Sequence, residues 1–231
     1  MNKFYNEVSV KANEDGHQIL LDGRGVKTPA KNLLVVPTES LANAIAHEWD
    51  EQVDKVLPDT MPLTRLANTA IDRVRDNLMH VVDEISAFGG SDLICYRASS
   101  PPDLQARQKK LWNPYIVWAR KIIQIELVVT EGVMPIKQNE DTLDFLKAYV
   151  MNGDEFSLSG LHTLVSITGS LIIGLAIMNG AVSPEKGWKA CNVDNDFQKE
   201  QWGEDDEATE KMLEKQAMLL SAAHYMETLK A

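Results

Sequence analysis

The chain has 231 residues, with 34 acids against 23 bases for a formal net charge of −11, and 44% of its side chains are hydrophobic. That length and apolar share are enough to bury a core, in one large domain or two small ones, so disorder is not expected. The acidic balance argues against a nucleic-acid partner, whose phosphates require a basic face, and favours a basic protein surface as the complement.

The two cysteines, Cys95 and Cys191, are far apart and neither sits in a Cys-x-x-Cys pair, which reads as free thiols in a reducing compartment. The opening residues Met1 to Val10 have neither the apolar run of a secretion signal nor the Arg-rich amphipathic pattern of a mitochondrial presequence. The expected location is the bacterial cytoplasm, or that of a matured form without its leader.

Before Pro37 the pattern is short and alternating: Val8 and Val10, Ile19 and Leu21, Val26, then Leu33 to Val36. Glu14-Asp-Gly16 and Asp22-Gly-Arg-Gly25 separate these runs as turn signals, which predicts an antiparallel meander. Thr38 is placed to cap a helix whose apolar stripe runs through Leu41, Ile45, Trp49 and Val53, with His47-Glu48 on its solvated face.

The character changes near Met61. From there helical spacing dominates, with Thr64 as a cap, Leu66, Ala70, Val74 and Leu78 on one line, and Val81, Val82, Ile85 and Phe88 continuing it to Gly89-Gly90. Asn68 and Asp72 fall one turn apart and Arg65 is expected within reach of Thr69 and Asp72, which suits a polar network. Asp92 and Arg97 are expected to pair. A helix starts after Ser100 and is expected to break or restart at Asn113-Pro114, with Trp112, Trp118 and Ile122 on its apolar side. The segment from Ile123 to Thr130 is β-branched enough for a strand and stays undecided. Further helices are predicted from Asn139 to Met151, from Ser157 to Met178, after Ser183-Pro184, and from about Glu204 to the end. The expected fold is α+β in two domains: residues 1–60, a small antiparallel β-rich domain with a covering helix, and residues 61–231, an all-α helical bundle.

No charged side chain falls between Glu155 and Glu185, and the centre of that window is long and apolar enough to raise a membrane span. His162, Asn179, the Ser and Thr residues and the lack of a basic flank or aromatic belt favour a central helix of a soluble bundle instead. Ser166, Ser170 and Gly174, four residues apart, would give such a helix a stripe of small residues.

Catalytic motifs are scarce. The histidines His17, His47, His80, His162 and His224 form no His-x-x-x-His pair, and no Walker loop, Gly-x-Ser-x-Gly elbow or dinucleotide fingerprint is present. No cofactor, metal or small-molecule substrate is expected. Arg24 and Lys27, in Leu21-Asp-Gly-Arg-Gly-Val-Lys-Thr-Pro29, form either a small basic contact loop or a hairpin turn whose charges face water.

The densest chemistry lies at Phe197-Gln-Lys-Glu-Gln-Trp-Gly-Glu-Asp-Asp-Glu207, within a stretch where Asp194, Asp196, Glu200, Glu204, Asp205, Asp206, Glu207, Glu210 and Glu214 face only Lys199 and Lys211. Part of this charge belongs on the first turn of a final helix, where unsatisfied N–H groups favour carboxylates. Trp202 beside Gly203, ringed by acids, also fits a docking site for an apolar patch with basic surroundings. Two other readings stay open. One is a hydrolase or metal-dependent enzyme using Asp205, Asp206 and Glu207 with a histidine brought near by folding; the other is a scaffold or adaptor for a protein partner.

Taken in order, Phe4-Tyr5, Leu21-Asp-Gly-Arg24 with Lys27-Thr-Pro29, Glu48-Trp49 with Gln52, Met61-Pro-Leu-Thr64, Asn68-Thr-Ala-Ile-Asp72, Asp92-Leu93 with Cys95-Tyr-Arg97, Gln108 with Trp112 and Pro114, Gly169-Ser170, and Gln198 with Trp202-Gly-Glu-Asp205 resemble one family along nearly the whole chain. The sequence is similar to the assembly chaperones of the catalytic sector of F-type ATP synthase, those that hold the unassembled alpha subunit. The resemblance implies a β-rich domain joined to a helical one, a protein partner in the alpha subunit, no membrane insertion, no enzymatic turnover and no need for ATP. It also implies the mitochondrial matrix as the location of eukaryotic relatives. It makes the acidic C-terminal segment a functional region, with Glu204 leading and Trp202, Asp205 and Glu200 beside it. One departure stands out: where the family pattern often reads Asp-Glu, this chain has Asp194-Asn195, so if an acid there contacts the client, either Glu200 or Glu204 supplies the charge or that contact is weaker here.

Overall fold

The computed structural model describes residues 2–132, 134–203 and 205–230. A small antiparallel sheet precedes a predominantly helical remainder, so the α+β class expected from the sequence is the one observed. The chain gathers into two compact units, one made of Met1–Leu78, Gly153–Gly160 and Ser221–Ala231, the other of Met79–Asn152 and Leu161–Leu220.

In the first unit, β1 (Val8–Asn13) and β2 (Gly16–Leu21) pair antiparallel, from Val8 opposite Leu21 to Asn13 opposite Gly16. Asp22 and Gly23, with φ of 47° and 76°, turn the chain into β3 (Arg24–Gly25), the mirror-image turn that matches strand twist. The Asp22 carboxylate accepts from the Asn6 and Glu7 amides at 3.0 and 2.9 Å, which fixes the turn to the start of β1. β4 (Val35–Val36) pairs with the other end of β2. Ile19, Leu21, Val26, Leu34 and Val36 are buried, and α1 (Glu39–Asp50) covers the sheet with Leu41, Ala42 and Ile45.

Thr38 caps α1 as expected, its hydroxyl accepting from the Leu41 amide at 3.2 Å. The predicted stripe, however, runs too far: α1 stops at Asp50 and Val53 is 80% exposed. The cause is Gln52, whose buried carboxamide accepts from the Leu57 amide at 2.8 Å and donates to Thr60 Oγ1 at 3.1 Å, so the chain turns into a loop instead of continuing the helix.

Two polar expectations change at α2 (Pro62–Thr69). Thr64 is not its cap; Met61 holds that position and its side chain makes no capping bond. The free amides of the first turn are taken by Glu48, which is buried and not solvated: its carboxylate accepts from the Leu63 and Thr64 amides at 2.7 and 2.8 Å and from Thr64 Oγ1 at 2.7 Å. Past α2 a wide helical turn (Ala70–Val74) and a tight one (Arg75–Asn77) lead into α3 (Leu78–Ala87), with Ala70, Val74, Val82 and Ile85 buried along the predicted line. Arg65 lies 3.6 Å from Asp59 rather than reaching Asp72, and Asp72 accepts from Thr28 Oγ1, the Ala30 amide and Asn32 Nδ2 at 2.6, 2.9 and 3.0 Å. That bond set ties the helix to the loop after β3.

The second unit is built around α7 (Leu171–Met178), in which every residue from Leu171 to Ile177 is buried. A helix apolar all round belongs inside other helices. Its start corrects the single helix predicted from Ser157 to Met178. α6 (Glu155–Thr168) ends at Gly169, whose φ of +65° is left-handed, and Ser170 then caps α7 by accepting from the Ile173 amide at 3.0 Å. The four-residue stripe therefore does not exist on one helix: Ser166 is exposed, Ser170 is a cap, and only Gly174 lies within α7. Among the described residues no helix is long and apolar enough to cross a membrane.

Asp92 and Arg97 turn to other partners instead of pairing. Asp92 is fully buried and accepts from the Ile94 and Ile172 amides at 3.2 and 3.0 Å. Arg97, in β5 (Tyr96–Arg97), donates to the Ile94 carbonyl at 3.0 Å and to Asn113 Oδ1 at 3.1 Å, and its guanidinium sits 5.1 Å from the centre of the Trp112 ring. α4 (Pro102–Trp118) runs straight through Pro114. An interior proline disfavours a helix by about 3 kcal/mol, and the burial of Trp112 and Tyr115 on either side offsets it, Trp112 also donating to the Ala190 carbonyl at 2.7 Å.

The undecided segment after Ile123 is extended but forms only one two-residue strand, β6 (Thr130–Glu131), parallel to β5. Buried Gln138 takes the place of a further strand: its amide oxygen accepts from Val128 N at 2.9 Å and its amide nitrogen donates to Val128 O at 2.8 Å. α5 (Glu140–Met151), α8 (Pro184–Cys191), α9 (Val193–Trp202) and α10 (Asp206–Thr228) complete the helices, with Asn139 and Ser183 capping α5 and α8.

Candidate functional site

The acidic window forms the junction between α9 and α10. Asp194, Asp196 and Glu200, which precede the final helix, lie on α9, a helix of its own that Gly203 ends with a φ of +90°. Asp194 accepts from Gln108 Nε2 at 2.7 Å, and the same buried amide accepts from the Ala98 amide at 2.7 Å, so Gln108 fastens α9 and the segment before α4 to α4 itself. Asn195, at the departure from the family pattern, donates to Asn192 Oδ1 at 3.2 Å.

Phe197 is buried on the inner side of α9, with the Arg107 guanidinium 5.3 Å from its ring centre. Arg107 then grips Glu200 with both arms, Nη1 to Oε1 at 2.7 Å and Nη2 to Oε2 at 2.6 Å. This bond holds the Glu200 carboxyl below its ordinary range and raises the guanidinium. Burial pushes the Asp196 carboxyl up. Glu200 thus offers its charge to a partner as half of an ion pair. Arg107 is the residue that sequence reasoning misses, since 93 positions separate it from Glu200.

Beyond this clamp, Trp202 stands at the end of α9 with 80% of its surface exposed. Asp205 does the work of a helix cap, accepting from the Glu207 and Ala208 amides at 2.9 and 3.1 Å. Glu207 is paired with Lys211 at 2.6 Å, while Asp206 is exposed. Glu204 lies outside the described residues. The junction therefore brings Glu200, Trp202 and Asp205 onto one helix end and the turn after it.

Arg24 and Lys27 belong to the other compact unit. Arg24 follows the Asp22-Gly23 turn and Lys27 is bridged to Leu33, both with exposed side chains, as a hairpin with charges in water requires.

The remaining titratable groups are built into the fold. Burial pushes the Cys95 and Cys191 thiols up to about 12 each, which leaves no reactive thiolate at neutral pH. His162 and His80 flank Glu84 at 3.6 and 3.4 Å, and among the described residues no three His, Cys, Asp or Glu side chains gather as a metal-binding group.

The family model described as ATP12 chaperone protein matches residues 2–120, just over half of the chain. The chain belongs to the ATP12 chaperone family. That is the family of ATP synthase assembly chaperones expected from the sequence. The solved structure of Atp12 from Paracoccus denitrificans is 37% identical, with a TM-score of 0.96 over 99% of this chain and 98% of that one. A protein from Agrobacterium tumefaciens is 38% identical, with a TM-score of 0.94 over 98% of this chain and 85% of that one. The mitochondrial protein atp12 of Schizosaccharomyces pombe is 24% identical over 220 residues, 90% of this chain and 76% of the relative. The acidic junction lies beyond the residues matched by the ATP12 family model and within the share covered by the structural relatives.

Proposed function

We propose that this ATP12-family chaperone binds the unassembled alpha subunit of F-type ATP synthase and masks the surface that subunit presents to the beta subunit. Exposed apolar area of that kind promotes aggregation, and covering it until the beta subunit competes is the whole task. The protein acts by binding alone, without turnover, in the bacterial cytoplasm, with a β-rich domain over residues 1–60 and a helical domain over residues 61–231.

The observation that carries the reading is Trp202, a large ring left 80% in water at a helix end that Phe197, Arg107 and Glu200 hold firmly from beneath. An exposed aromatic ring at a helix end, rimmed by carboxylates, suits an apolar patch with basic surroundings. Asp205 and Glu200 supply charge at the anchor's end of the junction, and Glu204 is proposed to add its own. Arg24 and Lys27 are a second, smaller proposed contact. The acidic cluster favours this reading over the hydrolase, because Asp205 is spent on two amides and Glu207 on Lys211.

Co-purification from cells, with identification of the bound chain, tests the client. Trp202→Ser is expected to leave the unfolding free energy within about 0.5 kcal/mol of wild type and to weaken alpha-subunit binding about tenfold or more. Recovery of another client overturns the alpha-subunit assignment, and an unchanged affinity in this variant removes the junction from the mechanism.

A further inference from the structure

A second surface lies in the same unit and shares α4 with the junction. Between α4, α7 and α8 runs a groove of about 340 Å³ whose floor includes Pro114, Tyr115 and Trp118 of α4. Its rim carries Lys110 from α4 and Lys186 and Lys189 from α8. All three lysines are exposed and none of them forms a salt bridge among the described residues. Asp196 of α9 acts on Lys189 through its charge without reaching ion-pair distance, and Glu185 is the neighbouring acid on α8.

Three features set the chemistry. The floor is apolar and aromatic, so an apolar side chain is favoured there and water is not. Lys186 and Lys189 stand one helical turn apart on α8 with Lys110 on the same rim, and like charges so placed repel. In a chain of net charge −11 such a cationic rim is locally opposite to the whole, so it selects against a basic ligand and for an acidic one. We propose that this groove binds an acidic protein segment carrying one or two apolar anchor residues, the anchors seated over Tyr115 and Trp118 and the carboxylates on the three lysines. The surface is separate from the Trp202 junction and its charge is reversed, so a partner engaging both would present a basic patch to one and an acidic segment to the other.

The probe is a synthetic dodecapeptide with one tryptophan and one leucine flanked by aspartates, labelled for fluorescence anisotropy with the full chain. Binding in the range of about 10–100 μM is expected, weakening about tenfold or more in Lys110→Glu/Lys186→Glu/Lys189→Glu and in Ala181→Trp, which places a ring in the groove. The variants are checked for unchanged far-UV circular dichroism, and the lysine changes are at exposed positions that the fold does not use. A lysine-flanked twin peptide that binds as well, a peptide indifferent to both variants, or no binding at all overturns the proposal. So does sedimentation showing that wild type forms a dimer which the lysine changes dissolve, since the groove's occupant is then a second copy.

Discussion

Asp92→Ala is expected to lower the unfolding free energy by about 3 kcal/mol or more, read as a fall in the urea midpoint at unchanged slope. The carboxylate is wholly buried and joins the turn before β5 to the first turn of α7, accepting from Ile94 N and Ile172 N. Alanine leaves both amides without this partner, Ile94 N in the turn before β5 and Ile172 N at the start of a helix buried all round. Asp92→Asn keeps one acceptor and is expected to lose about half as much.

Burial also pushes the Asp92 carboxyl up to about 6, against the pull of Ser170 and the surrounding amides. Between its ordinary value of about 3.9 and that raised one, the folded protein holds more protons than the unfolded chain. This group alone therefore makes stability fall as pH climbs from about 4 to about 6, and the slope is absent from Asp92→Asn. A wild-type slope no different from that of the asparagine variant contradicts the assignment.

Glu48→Ala has the second largest expected effect, a loss of about 2–4 kcal/mol by the same denaturation measurement. Glu48 caps a helix that is not its own: α1 lends the carboxylate, and α2 supplies Leu63 N, Thr64 N and Thr64 Oγ1. Burial raises its carboxyl while these three donors lower it, with burial the larger effect. Faster amide exchange at Leu63 and Thr64 should accompany the loss, because those N–H groups have no partner within α2. Glu48→Gln retains one accepting arm and should fall between the two. An alanine variant as stable as wild type removes the interhelical cap from the account.

These two residues also mark where sequence reading stops. The hairpin at Asp22-Gly23, the Thr38 cap and the helix end at Asn179-Gly180 were legible because each is a local event, decided by backbone freedom or by a side chain three residues away. The α+β class followed from the switch between alternating and helical spacing, which is equally local. Glu48 looked like a surface acid because its partners lie 15 and 16 residues on, and Asp92 invited a pairing with nearby Arg97 because its true partner Ile172 is 80 residues away. Pro114 was misjudged for the converse reason: a strong local preference gave way to burial of Trp112 and Tyr115.

The candidate site divides along the same line. The cluster of acids around Trp202 was visible in composition, and so was the part of its charge that serves a helix start, which Asp205 performs. Invisible were the Arg107 clamp on Glu200, which depends on α4 and α9 meeting, and the cationic groove, whose lysines come from two helices about 76 positions apart in the chain.

The proposed function requires the protein to hold a free alpha subunit and to yield it to the beta subunit. Sedimentation velocity of the purified full chain with unassembled alpha subunit, before and after addition of beta subunit, tests it most directly. A complex of the two that forms with micromolar to nanomolar affinity, about −8 to −12 kcal/mol, and dissolves as beta subunit is titrated in is the predicted result. Two species sedimenting independently, or a complex that persists in excess beta subunit, would contradict it.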